Sequence, residues 1–409
     1  MKKINLLCLV LFILLGSCRQ ETKKQIVLDG NWLAVLDISP DIIPFRLTFS
    51  QSKGKLIAQV HNAEETLVYD EVVIREDSLF ITMSIFDSEI KAKIIDPQNI
   101  EGIYVRNYAA NYVIPFNASK TTKSRFEVKE KPKTDFSGRW KTVFQDEKGE
   151  TYEAVGIFSQ KGDQLTGTFL TSLGDYRFLE GNVSGSTFSL SAFDGSHAFL
   201  FKGEVQEDGS ILGKFRSGPR YAETFIAVRD DAFELPDAYG LTSLKEGIEK
   251  LTFSFPDLNG QPVSLDNEKF RGKVVLVQLF GTWCPNCMDE TKFLAPWYEK
   301  NKARGIEIVA LAFESKPDFD YASARVKKSK EKLNANYTFL IAGESNKDKA
   351  GEALPMLNAI VAFPTLLYID KKGKIRKIHT GFNGPATGGL FDRWVEEHEA
   401  LVREMLEES

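Results

Sequence analysis

One stretch, Lys273 to Glu290, limits the fold of this chain more than any other, and it reads KVVLVQLFGTWCPNCMDE. Its first part, Val274 to Phe280, is an apolar run rich in β-branched residues, which is typical of a buried parallel strand. Cys284 and Cys287 follow after a short turn, and apolar residues then recur at helical spacing. The stretch therefore predicts a strand–turn–helix unit with a C-x-x-C motif at the start of the helix.

The spacing of the two cysteines indicates a redox pair. At a helix start they can close a disulfide and reopen it with little backbone movement. Cys284 lies where unpaired N–H groups and the positive end of the helix dipole favour a thiolate, so we predict it to be the attacking residue. Cys287 lies one turn inside the helix and suits the resolving role. Pro285 fits the first helical position, where its missing N–H costs nothing.

Two other uses of these cysteines stay open but are less favoured. A structural zinc site needs about four ligands. The other cysteines, Cys8 and Cys18, belong to an N-terminal leader, and the four histidines are all distant in sequence (His61, His197, His379 and His398). An inert disulfide across so small a loop would constrain little of the unfolded chain. A C-x-x-C motif in a βαβ setting favours redox chemistry.

Residues 251–409 resemble the thioredoxin-fold domain of TlpA/ResA-type proteins, the membrane-attached thiol–disulfide oxidoreductases of bacterial envelopes. The matching segments are DLNGQPVSL, GKVVLVQLFGTWCPNC (272–287), Glu290 and FPTLLYIDKKGKI (363–375). The resemblance implies disulfide exchange by Cys284 and Cys287, with no cofactor and no metal.

The resemblance also assigns further site residues. Phe363, Pro364 and Thr365 stand where the thioredoxin fold has a cis-proline that lies against the C-x-x-C motif and shapes a peptide groove, which Trp283 covers on one side. Cis X–Pro bonds are a minority, and an ordinary trans proline is the alternative. Glu290 stands where the family has a glutamate implicated in proton handling. The alternative is a helix-start carboxylate that stabilises the dipole.

The sequence departs from this family at some positions. Lys292 occupies a position where the family usually has proline, and Pro296 follows a turn later. The strand reads Gln278–Leu279–Phe280 where Asn–Phe–Trp is common. These departures leave the reduction potential and the choice of partner open.

The N-terminus has the features of a lipoprotein signal. Residues 1–17 begin with two lysines and continue with an apolar run that is too short to span a bilayer, as in a signal peptide. The run ends in LGSC, which resembles a bacterial lipobox, so we predict lipidation of Cys18 and a polar tether over residues 18–27. An ordinary signal peptide cut elsewhere is the alternative. The sequence does not indicate which membrane is involved.

An internal repeat precedes the redox domain. LDGNW (28–32) matches FSGRW (136–140), and FSQSKGKL (49–56) matches FSQKGDQL (158–165). A third pair is DSLFITMSIFDSEIKAKI (77–94) and STFSLSAFDGSHAFLFKG (186–203). The units span residues 28–118 and 135–230, and the charged segment 119–134 reads as a linker.

Each unit contains about eight short alternating runs bounded by turn residues, which indicates an antiparallel barrel-like domain. The opening G-x-W resembles the lipocalin and avidin superfamily. We predict that Trp32 and Trp140 lie in the cores and do not contact a ligand. Whether each barrel is filled by its own side chains or holds one small ligand stays open.

The predicted fold class is multidomain: two tandem antiparallel β-barrel-like domains followed by a thioredoxin-fold α/β domain. A connector, 231–250, joins them and contains a predicted short helix over residues 241–250. The chain has 409 residues, enough for several domains, and its net charge of −5 gives no indication of nucleic-acid binding.

The predicted function is that of a membrane-anchored envelope thiol–disulfide oxidoreductase. Its partners would be disulfide-containing envelope proteins and a membrane thiol carrier as electron donor, with the lipid contacting the membrane. A thiol peroxidase is less favoured, because such sites flank the cysteine with threonine and arginine. A binding lipoprotein whose barrels capture a ligand or partner is the other alternative. The resemblance favours a reductant of disulfides in envelope proteins, with an oxidant as the alternative.

Overall fold

The structure is a computed structural model that describes residues 28–408. The predicted signal peptide, the lipidation of Cys18 and the tether over 18–27 lie outside the described residues.

The first barrel is an up-and-down antiparallel sheet of nine strands. In chain order they are β1 (Gly30–Ile38), β2 (Asp41–Ser52), β3 (Lys55–Asn62), β4 (Glu65–Tyr69), β5 (Val72–Arg75), β6 (Ser78–Met83), β7 (Ser88–Asp96), β8 (Asn99–Arg106) and β9 (Val113–Lys120). β1 pairs with both β2 and β9, whereas β4 and β5 form the two ends of the sheet. Alternate residues of β1 are buried, as expected for a strand with one face on a core.

The second barrel closes completely. Its strands are β10 (Gly138–Asp146), β11 (Thr151–Lys161), β12 (Gln164–Thr171), β13 (Gly174–Asp175), β14 (Leu179–Ser184), β15 (Thr187–Phe193), β16 (Ala198–Val205), β17 (Ile211–Ser217) and β18 (Tyr221–Arg229). β10 pairs with β18, and β11 pairs with β12, which leaves the short β13 as a hairpin partner of β12. This hairpin reaches the redox pair, as described below.

The two tryptophans of the repeat occupy equivalent places. Both are buried, Trp32 in the core of the first barrel and Trp140 in the core of the second. Trp32 Nε1 donates to the carbonyl of Leu28 at 2.8 Å, and Trp140 Nε1 donates to the carbonyl of Phe136 at 2.9 Å. The burial predicted for both tryptophans is confirmed.

The third domain is α/β. A hairpin of β19 (Ser254–Pro256) and β20 (Pro262–Ser264) leads into a five-stranded sheet ordered β23-β22-β21-β24-β25. The sheet strands and helices, in chain order, are β21 (Val274–Phe280), α1 (Pro285–Asn301), β22 (Ile306–Glu314), α2 (Phe319–Lys332), β23 (Thr338–Glu344), α3 (Lys347–Ala353), β24 (Thr365–Ile369), β25 (Ile375–Thr380) and α4 (Gly389–Glu407). β21, β22 and β23 are parallel to one another. β24 is antiparallel to β21, and β25 is antiparallel to β24. The predicted fold class is confirmed.

The helix predicted over residues 241–250 is wrong. The segment consists of turns and one bridge, in which Leu244 pairs with Leu357. The N–H of Lys245 donates to the carbonyl of Met356 at 2.8 Å, and Gly247 has a positive φ of 78°. The N–H of Lys245 therefore serves a distant strand-like contact instead of a helical hydrogen bond.

The three domains share core residues. Phe193, at the end of β15, packs in the core of the first barrel with its ring centroid 4.5 Å from that of Phe45. Phe86, in a 3-10 turn of the first barrel, belongs to the core of the third domain. Across residues 28–408, the helices lack the combination of length and apolar character that crossing a bilayer requires.

Candidate active site

The turn between β21 and α1 positions the two cysteines. All residues of β21 are buried, which fixes the start of the turn in the centre of the sheet. Cys284 is the N-cap of α1, and Pro285 occupies the first turn of the helix. The N–H of Cys287 donates to Sγ of Cys284 at 3.2 Å, so the sulfur takes the place of a capping oxygen.

Cys284 and Cys287 form a disulfide with their Cα atoms 5.2 Å apart. Cys284 is 5% exposed, and Cys287 is completely buried. Sγ of Cys284 lies 3.5 Å from the carbonyl oxygen of Phe363. The more accessible cysteine is thus the one at the positive end of the helix dipole, where a thiolate is stabilised.

A buried carboxylate, Glu314, fixes the turn before the cysteines. Its oxygens accept from the N–H of Thr282 at 2.8 Å and from the Thr282 hydroxyl at 2.7 Å. Burial raises the pKa of Glu314, and these two hydrogen bonds oppose that shift. Glu314 is not among the residues predicted from the sequence, although a charged residue at the end of the apolar strand β22 was a usable signal.

The proline segment lies against the redox pair. The Phe363–Pro364 peptide bond is cis. Phe363 contacts Cys284 through its carbonyl and packs edge-on against the ring of Trp283 at 5.7 Å. The Thr365 hydroxyl donates to the carbonyl of Ala362 at 2.8 Å. The structure therefore places Trp283 and Phe363 beside Cys284, with Pro364 and Thr365 following Phe363 in the chain.

Glu290 lies on α1 one turn beyond Cys287 and is completely buried. Gln278 Nε2 donates to its Oε2 at 2.8 Å, whereas Oε1 has no hydrogen-bond partner among the described residues. Burial raises the pKa of Glu290 to about 8, with the Gln278 hydrogen bond acting in the opposite direction. Glu290 is thus a carboxyl group that exchanges a proton near neutral pH.

Residues from the second barrel complete the surroundings of the redox pair. Ser196 Oγ donates to the carbonyl of Trp283 at 3.1 Å, and Arg177 Nη1 donates to the carbonyl of Pro285 at 3.2 Å. The sequence offered no signal for these contacts, because they join distant parts of the chain. Within residues 28–408, no group of three or more His, Cys, Asp or Glu side chains is arranged to hold a metal ion.

Comparison with known proteins identifies the third domain. The chain matches the Redoxin family over residues 245–388. This part of the chain is a redoxin domain. It contains all the predicted site residues within the described part of the chain, including the cysteine pair, Glu290 and Pro364.

Curated relatives match about a third of the chain. The thiol-disulfide oxidoreductase ResA of Bacillus thuringiensis subsp. konkukian is 32% identical over 129 residues, which are 32% of this chain and 66% of that protein. ResA of Bacillus subtilis is 29% identical over 142 residues, 35% of this chain and 71% of that protein. The chain thus spans just under two thirds of the first of these relatives.

Solved structures that match this chain include a thiol:disulfide interchange protein of the thioredoxin family from Chlorobium tepidum. It is 21% identical, with a TM-score of 0.30, and covers 40% of this chain and 99% of its own. Another is the thioredoxin domain of a thiol-disulfide oxidoreductase from Bacteroides vulgatus, which is 24% identical. Its TM-score is 0.28, and it covers 37% of this chain and 99% of its own.

Proposed function

We propose that this protein is a membrane-anchored thiol–disulfide oxidoreductase of the bacterial envelope. The observation that carries the proposal is the Cys284–Cys287 disulfide at the start of α1, with Cys284 as the N-cap. The redoxin domain and the ResA relatives support the same chemistry.

In the proposed reaction, Cys284 acts first. With the pair reduced, its thiolate attacks one sulfur of a substrate disulfide. A bond forms between Cys284 and that sulfur, while the other substrate sulfur leaves as a thiolate and takes a proton. The position of Cys284 at the helix N-terminus stabilises the thiolate, and the nearby Phe363 carbonyl borders the space that the incoming sulfur must enter.

Cys287 completes the cycle. It loses its proton and attacks Cys284 Sγ, which re-forms the internal disulfide and releases the second substrate thiol. Two electrons and two protons have then passed to the substrate, and a thiol carrier must return them. Glu290, whose pKa burial raises to about 8, is suited to relay the proton at Cys287.

The sequence supports the proposed location and partners. The apolar leader and the LGSC sequence ending at Cys18 support export and a lipid anchor. An exported enzyme of this chemistry meets envelope proteins with disulfides, which we propose as its substrates, and a membrane thiol carrier as its electron donor.

A turnover assay tests the proposal. The reduced protein should convert bis(2-hydroxyethyl) disulfide to the thiol with simultaneous formation of the Cys284–Cys287 disulfide, and Cys284→Ser should abolish both. If the reduced wild type leaves the disulfide unchanged, the proposed function is wrong.

A further inference from the structure

The second barrel covers the redox pair. Residues on both sides of Cys284 contact it: the carbonyl of Trp283 accepts from Ser196, and the carbonyl of Pro285 accepts from Arg177. Asn286 Nδ2 donates to the carbonyl of Asp175 at 3.0 Å. Trp283, Pro285 and Asn286, which surround Cys284 in the chain, are therefore each in contact with a segment outside the redoxin domain.

The segment 172–177, named here the covering segment, lies against Gly381. The N–H of Gly381 donates to the carbonyl of Pro364 at 2.9 Å, which places Gly381 next to the cis-proline. A Cβ at Gly381 would lie 2.9 Å from the carbonyl carbon of Leu173. A Cβ at Gly174 would lie 2.4 Å from Asn286 Nδ2. The covering segment thus packs against the neighbours of the cis-proline and of Cys284 with no room for a side chain at Gly381 or Gly174.

Arg177 holds the covering segment in place. Its side chain is 5% exposed and forms ion pairs with Glu65 of the first barrel, Asp194 of the second barrel and Asp289 of α1. Such charge-assisted contacts fix geometry, and loss of the guanidinium would leave buried carboxylates unpaired. One side chain therefore joins all three domains beside the redox pair.

We propose that the covering segment determines which disulfides reach Cys284, with Arg177 as the residue that positions it. The inference rests on the proposed thiol–disulfide exchange. A polypeptide disulfide must displace the covering segment to enter the groove, whereas a small disulfide needs much less space. When only a fraction of the molecules has the groove open, the apparent reactivity toward a large substrate falls by that fraction.

Alkylation of the reduced full chain tests this. N-ethylmaleimide and a maleimide that carries a long polyethylene glycol chain share one chemistry and differ in size. Their rates at Cys284 are followed by mass spectrometry of the Cys284 peptide in a Cys287→Ser background. The ratio of the two rates measures access to the groove.

Arg177→Gln should raise the rate of the large reagent about tenfold, equivalent to about 1.4 kcal/mol of lost docking, and leave the small reagent within about twofold. The matched control is Arg125→Gln. Arg125 is also a buried arginine at a domain contact, where it pairs with Glu180, but it contacts the two barrels and the carbonyls of His61 and Ser191 instead of α1. The control should keep the wild-type ratio.

Asp289→Asn provides a second variant that leaves Arg177 in place and removes one charged partner on α1. It should change the ratio of the two alkylation rates in the same direction by a smaller factor. It provides the test of the proposal if Arg177→Gln does not fold. The proposal is overturned if the ratio of the two alkylation rates in a folded variant, Arg177→Gln or Asp289→Asn, equals that of the wild type. Failure of the reduced protein to convert bis(2-hydroxyethyl) disulfide would overturn the proposed function instead, because alkylation does not depend on turnover.

Discussion

Gln278 Nε2 donates a 2.8 Å hydrogen bond to Oε2 of Glu290, and both side chains are completely buried. A single neutral donor does not compensate for the loss of solvation around a carboxylate. The carboxyl of Glu290 therefore keeps its proton up to a pKa of about 8, compared with its ordinary value of 4.5.

This raised pKa predicts a pH-dependent stability. The folded protein holds the proton of Glu290 more tightly than the unfolded chain does, so the free energy of unfolding should fall as pH rises from 4.5 to about 8. The slope from one proton is about 1.4 kcal/mol per pH unit. Glu290→Gln should remove this slope, and Glu299→Gln, on the exposed face of the same helix, should keep it. Urea denaturation across this pH range measures both, and parallel curves for wild type and Glu290→Gln would contradict the assignment.

Glu290 should also affect turnover. As pH rises through about 8, more of the carboxyl is ionised and able to accept the proton of Cys287. Glu290→Gln should keep the attack by Cys284 but slow release of the mixed disulfide, with the difference from wild type depending on pH. Stopped-flow measurement of the two steps separates them. If Glu290→Gln releases the mixed disulfide at the wild-type rate at every pH, the role of Glu290 is only structural.

The roles of the two cysteines predict a trapping asymmetry. Cys287→Ser should accumulate a mixed disulfide between Cys284 and the substrate, because the resolving sulfur is gone. Cys284→Ser should accumulate none, since Cys287 is completely buried. Iodoacetamide should likewise modify Cys284 before Cys287 in the reduced protein. Non-reducing gels and peptide mapping measure both, and the reverse pattern would exchange the two roles.

The equivalent tryptophans predict equal effects on stability. Trp32→Phe and Trp140→Phe each remove the indole donor and leave a buried carbonyl, that of Leu28 or Phe136, without it. Each should cost about 1–3 kcal/mol in the free energy of unfolding. Disulfide exchange at Cys284 should be unchanged, because both tryptophans lie in barrel cores that are separate from the core of the redoxin domain. Loss of exchange in a folded variant would show that the barrel cores contribute to the reaction.

We expect residues 243–409 alone to reduce a small disulfide, because the five-stranded sheet, the cysteines, Glu290 and Pro364 all lie within them. Circular dichroism shows whether the fragment folds, and bis(2-hydroxyethyl) disulfide tests its activity. A folded fragment without activity would mean that the barrels supply part of the site.

The sequence was most informative where local pattern decides structure. The apolar run Val274–Phe280 forms β21 with the predicted bounds. Helix α3 ends at Ala353, because Pro355 cannot continue it. About eight strands were predicted for each barrel, and each sheet has nine. The local pattern does not show that the first sheet ends at β4 and β5, because pairing between distant strands decides where a sheet ends.

Contacts between domains were beyond the reach of the sequence. Arg177 follows a strand-like run in the second repeat, and nothing around it indicates that its partners are Glu65 and Asp289. Their proximity depends on how three folded units pack together. Gln278, by contrast, interrupts an apolar strand, and a buried amide there was a usable sign that it hydrogen-bonds a neighbour such as Glu290.

The two barrels each contain a Phe–Asp dipeptide, Phe86–Asp87 and Phe193–Asp194, and the two dipeptides contact different neighbouring domains. Phe86 packs into the redoxin domain, and the carboxylate of Asp87 accepts from the Tyr321 hydroxyl of that domain. Phe193 packs into the first barrel, and Asp194 pairs with Arg177. The two dipeptides thus hold different pairs of domains together. Removal of the first barrel would therefore leave a cavity in the core of the redoxin domain, where Phe86 packs. Removal of the second barrel would leave one in the core of the first barrel, where Phe193 packs.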